Sequence, residues 1–140
     1  MNIARIILGG VVAGVIINVL ETVIHGVFFR TRWEDAMRDL GRELPRMPGV
    51  ILIWIVGLVF GIMVAWLYAA IRPRYGAGPK TAIVAGLYLW VVAGLLIWIG
   101  FSPMRLWPTS LMLIGIVANL IEYVIAGLVA GYLYKEAAAA

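Results

Sequence analysis

The chain has 140 residues, 64% of them hydrophobic and only 13% charged, with a net charge of +4 and a mean hydropathy of +1.04. Soluble domains are closer to half apolar and a quarter charged, so this composition belongs to the membrane class. The absence of cysteine excludes disulfides, Cys-ligated zinc and iron–sulfur clusters. The scattered basic residues form no patch suited to nucleic acid.

The first apolar run covers residues 3–29. It is too long for the core of a signal peptide and contains Asn18 and Glu21, so a retained membrane helix is expected. Gly10-x3-Gly14 gives it a small-residue face for close helix packing. At 3.6 residues per turn, Gly14, Asn18, Glu21 and His25 fall within about 60° of arc. Such polar groups are expensive in a bilayer, and each asks for a partner or a purpose.

The following connection is amphipathic. Thr31-Arg32-Trp33-Glu34 has capping-box spacing, and Trp33, Met37, Leu40 and Leu44 recur at helical period opposite a charged face. A short interfacial helix over residues 32–44 is expected, with a docking face for a partner protein as the sharper alternative.

The second span, residues 50–71, carries Gly57, Gly61, Ala65 and Ala69 at four-residue intervals. A Pro/Gly-rich basic stretch from Arg72 to Lys80 reads as a tight turn. The third span covers residues 81–101 and offers Ala82-x3-Gly86. Ser102 to Pro108 forms a second Pro-punctuated connection, with Thr109 or Ser110 placed to cap the next helix.

The fourth span, residues 109–134, repeats the polar signature of the first as Gly115-x3-Asn119-x2-Glu122-x4-Gly127, and Gly127-x3-Gly131 extends its small-residue face. Short connections make consecutive spans antiparallel. One all-α domain over residues 1–140 follows: an up-down-up-down bundle of four transmembrane helices. Helical rise sets Asn18, Glu21, Asn119 and Glu122 about 12–20 Å below the same face, so the two motifs are able to meet.

Polar glue between helices is the plainest use of such a cluster: Asn and protonated Glu hydrogen-bond across helices, and two adjoining carboxyls in low dielectric share a proton. A proton or cation relay through Glu21, Glu122 and His25 is the first functional alternative, although no Gly/Pro break interrupts a span in the sequence. Haem or chlorophyll ligation by His25 beside Gly26 is a second, less favoured, because one histidine supplies one axial ligand. No metal site is assigned, since Glu-x3-His departs from the Glu-x-x-His pattern of di-iron bundles. No nucleophile–base pair stands out, and an enzyme is not expected.

Arg5 to Gly14 with Asn18 and Glu21, Trp33 to Met37, and Ala65 to Arg74 together resemble a family of small, uncharacterised bacterial membrane proteins with four predicted spans. The resemblance covers most of the length and implies residence in the bacterial inner membrane, without transferring any catalytic residue. The purely basic 72–80 turn favours both termini in the cytoplasm. Beyond the lipid bilayer, the expected partner is another membrane protein or a second copy. The function expected is that of a small accessory subunit of a respiratory or photosynthetic type of complex, packing through Gly10, Gly14, Gly57, Gly61, Gly127 and Gly131.

Overall fold

The computed structural model describes residues 1–136, and the described residues form helices joined by short connections. Helix α1 (Ile3–Glu21) continues as a π-helical segment (Thr22–Phe28) and then turns at Phe29 into α2 (Arg30–Asp39). Helix α3 spans Met47–Tyr75. The third span is composite: α4 (Pro79–Leu89), a second π-helical segment (Trp90–Leu95), α5 (Leu96–Phe101) and a short 3-10 turn (Ser102–Met104). Helix α6 spans Thr109–Leu133. Ile3–Phe28, Met47–Tyr75, Pro79–Met104 and Thr109–Leu133 are each long and apolar enough to cross a bilayer, so the chain is an all-helical membrane bundle of four spans.

Several local expectations give way to the structure. The capping box at Thr31 does not form: α2 begins at Arg30, Phe29 precedes it without a side-chain cap, and Glu34 instead accepts from the Arg30 guanidinium at 2.8 Å. A helix that follows directly on another has few free N–H groups to cap. Helix α2 also stops at Asp39, short of Leu40 and Leu44, because Gly41 enters the left-handed region at φ 68°. Pro108, rather than Thr109 or Ser110, precedes α6, and no side chain caps it. The 72–80 turn shortens to three residues, since α3 runs through Pro73 to Tyr75. Gly76 at φ 86° and Gly78 at φ 134° then reverse the chain with backbone angles that side chains oppose.

The core is built on small residues. Ala13, Ala65, Ala69, Ala82, Ala85, Ala126 and Ala130 are buried with Val64, Tyr68 and Tyr123. Helix α1 packs on α3 and α6, and α4 packs on α6. Lipid offers no hydrophobic reward for association, so such contacts depend on close backbone approach. A Cβ on Gly10 would lie 2.6 Å from the Ile62 Cα, and one on Gly14 the same distance from the Leu58 Cα. A Cβ on Gly61 would strike the backbone of Gly10 and Gly14. On the other side, a Cβ on Gly127 would lie 2.5 Å from the Ala82 carbonyl oxygen, and one on Gly131 would lie 2.8 Å from the Ala82 Cβ. The glycine faces read from the sequence thus pack within this chain.

At the end where α1 begins and α6 finishes, the Tyr134 hydroxyl accepts from the Asn2 N–H at 3.1 Å and donates to the Glu136 carboxylate at 3.1 Å. Arg72 reaches the same carboxylate at 3.1 Å, which ties α3 to both. The opposite end carries α2, whose Trp33 ring lies 5.4 Å from that of Trp107 and 6.4 Å from that of Trp98.

Candidate functional site

Glu21 ends the regular part of α1, and Glu122 lies in the middle of α6, with its side chain completely buried. Ligand atoms of Glu21, His25 and Glu122 all lie within 4.8 Å of one another, so the first and last spans do meet through their polar residues. The Glu122 Oε2 accepts from the Asn119 side-chain amide at 3.2 Å, whereas its Oε1 has no hydrogen-bond partner among the described residues. A cleft of about 170 Å³ opens beside the pair, between Asn18 and Glu21 on α1, Gly57 and Phe60 on α3, and Asn119 and Glu122 on α6.

The two asparagines do not face each other. The Asn18 amide donates to the Trp54 carbonyl of α3 at 2.9 Å, and its Oδ1 fills the space where Gly57 lacks a Cβ. Asn119 bonds along its own helix to Glu122 and accepts from the Trp98 indole N–H at 3.2 Å. The cluster is therefore asymmetric: Asn18 ties α1 to α3, and Asn119 ties Glu122 to the third span.

His25 lies in the first π-helical segment, where the Phe29 N–H bonds back five residues to the Ile24 carbonyl at 3.0 Å. The wider turn sets the His25 ring between Glu21 and α2. Its Nδ1 accepts from the Trp33 indole N–H at 3.0 Å, and its Nε2 faces the Glu21 carboxylate at 3.8 Å. An Nδ1 that accepts has no proton, so the neutral ring carries its proton on Nε2, directed at Glu21. Both ring nitrogens are thereby committed. Neither offers a lone pair to iron, and a metal on Nε2 would need the Trp33 bond to break first.

Sequence reasoning missed Trp98 and the part Trp33 plays. Trp33 was legible only as an interfacial aromatic, yet it stands eight residues beyond His25 across one turn, which is reach enough for an indole. Trp98 has no sequence signal, because the second π-helical segment helps set which face of the third span meets Asn119. Gly94 within that segment lets the span approach: a Cβ there would lie 3.1 Å from the Asn119 Cβ. Two of the four spans, the first and the third, thus carry π-helical turns beside the cluster, a feature common at functional sites.

Fold and site together define a small polytopic helical membrane protein with a buried carboxyl on its last span facing a half-exposed one on its first. The chain belongs to the family described as "Protein of unknown function (DUF1761)", which it matches over residues 8–131. No curated protein and no solved structure matches it.

Proposed function

We propose that the protein binds and moves a proton or small cation at the Glu21–Glu122 pair, as a coupled transporter of a bacterial cytoplasmic membrane with both termini in the cytoplasm. The observation that carries this reading is the Glu122 carboxyl, wholly buried with one oxygen unpartnered among the described residues and another carboxyl close by. An uncompensated carboxylate in such a setting costs several kcal/mol, and a second one nearby raises that cost. A proton or cation between the two removes the penalty. The adjoining cleft is large enough for water or a partly hydrated ion.

Each neighbour has a task in this reading. Glu21, with 36% of its side chain exposed, exchanges with the side that carries α2, and Glu122 receives from it. The His25 Nε2–H faces Glu21 at 3.8 Å, while Asn119 orients Glu122 through Oε2 and leaves Oε1 free. The protein is read as a binding and transport device, not as an enzyme.

Flux in proteoliposomes under an imposed proton or cation gradient tests the proposal. Wild type is expected to dissipate the gradient, Glu122→Gln to abolish the flux, and Glu21→Gln to lower it about tenfold or more, the equivalent of about 1.4 kcal/mol. Unchanged flux in Glu122→Gln overturns it.

The accessory-subunit reading keeps one specific support. A wholly apolar groove of about 420 Å³ lies between the first π-helical segment and α6, lined by Ile24, Phe29, Leu113, Ile114, Val117 and Ile121. A partner helix would seat there, because the glycine faces are occupied within the chain. A stable lone monomer in mild detergent, with nothing co-purifying, counts against that reading.

A further inference from the structure

A concavity at the α2 end lies apart from the carboxyl pair. The connection between the third span and α6 folds around a pocket of about 420 Å³ whose walls include Trp98, Phe101, Arg105, Trp107, Thr109 and Met112. That volume lies in the range of small-ligand sites. Its lining combines indole, phenyl and thioether groups with a guanidinium and a hydroxyl.

Arg105 is the only non-glycine residue with positive φ among those described, at φ 50° and ψ 33°. L-residues other than Asn and Asp avoid this region, and glycine enters it without steric cost, so an arginine here is held at some expense to the fold. No ion pair joins Arg105 to a carboxylate among the described residues, whereas Arg30, Arg38 and Arg46 at the same end pair with Glu34, Asp35 and Glu43. An arginine fork prefers a planar or tetrahedral oxyanion, and the aromatic wall beside it suits an alkyl chain.

From this juxtaposition we propose that the pocket binds an anionic amphiphile, its phosphate head on Arg105 and its chain along Trp98, Trp107 and Met112. The ligand comes either from the membrane, as an anionic phospholipid, or from solution, as a single-chain phosphate ester. The site is independent of the carboxyl pair, although Trp98 belongs to both: its indole N–H holds Asn119.

The test uses the purified full chain in a neutral maltoside detergent, with dodecyl phosphate as probe and thermal unfolding as readout. Dodecyl phosphate is expected to raise the wild-type midpoint saturably, and inorganic phosphate to leave it unchanged. Arg105→Gly is the informative variant, because relief of the backbone conformation should keep or raise its own midpoint while its apparent affinity for dodecyl phosphate falls about tenfold or more. Met112→Trp, which fills the pocket and leaves Arg105 in place, should lose the response as well, and Arg42→Gln should keep it. Equal protection of wild type and Arg105→Gly, no protection of wild type, or equal protection by inorganic phosphate overturns the proposal. Within it, protection in phosphatidylcholine nanodiscs doped with phosphatidylglycerol assigns the ligand to the membrane. Protection by dodecyl phosphate alone assigns it to solution.

Discussion

The two copies of Gly-x3-Asn-x2-Glu-x4-Gly are alike in sequence and opposite in use. In the first copy the leading glycine carries the packing: Gly14 lies against the α3 backbone, while a Cβ on Gly26 would meet only the Thr22 methyl at 3.7 Å. In the second the trailing glycine does so: Gly127 lies against the Ala82 carbonyl, while Gly115 faces the Trp98 indole, a side chain able to turn. Asn18 bonds outward to another helix, and Asn119 bonds to Glu122 beside it. The helix unwinds to π geometry after Glu21 and stays regular after Glu122. A shared polar motif therefore fixes which groups are available at a given depth, and the neighbours decide what each group does.

The largest expected difference between the copies lies in their glycines. Gly127→Ala forces a Cβ against the Ala82 backbone and should cost about 1–3 kcal/mol, whereas Gly26→Ala at the matching position of the first copy should be neutral or stabilise by about 0.5 kcal/mol. Thermal unfolding in detergent measures both, and equal midpoints for the two variants would erase the distinction. Asparagine comes next. Asn119→Leu strips Glu122 of its remaining side-chain donor on α6 and should cost about 1–3 kcal/mol; Asn18→Leu removes a single interhelical bond, worth about 0.6 kcal/mol. Reversal of that order in the same assay would mean that the Asn18–Trp54 bond, not the Asn119–Glu122 bond, carries the larger share of stability.

A smaller effect than the loss of Asn119 is expected at Trp33, whose bond to His25 has no counterpart in the second copy because Ala126 stands where His25 would. Trp33→Phe keeps a ring at the contact but removes the N–H, at about 0.5–1.5 kcal/mol. Nitrogen NMR of the histidine ring sharpens the point. Wild type should show the neutral tautomer with its proton on Nε2, and Trp33→Phe a mixture of tautomers. A mixture already present in wild type would break the assignment.

Much of the framework was legible in the sequence. The four spans, the small-residue faces and the meeting of Glu21 with Glu122 follow from runs of apolar residues, four-residue glycine spacing and helical rise, all of them local or one-dimensional quantities. The π-helical turns were not legible, because the choice between a four- and a five-residue hydrogen bond turns on neighbouring packing. The helix caps misled for a related reason: Thr31 and Thr109 have the right chemistry, but the chain reaches each helix along a path that leaves no role for them.

By itself, the sequence determined that this is a four-span helical membrane protein with two carboxyls at matching depth, since bilayer thickness and helical rise convert residue counts directly into depth. Only the tertiary structure decided that Asn18 turns to Trp54, that Trp33 sets the tautomer of His25, and that one oxygen of Glu122 is left without a partner among the described residues. Those outcomes depend on which helix faces touch, and contact between residues far apart in the chain is not encoded in spacing along it.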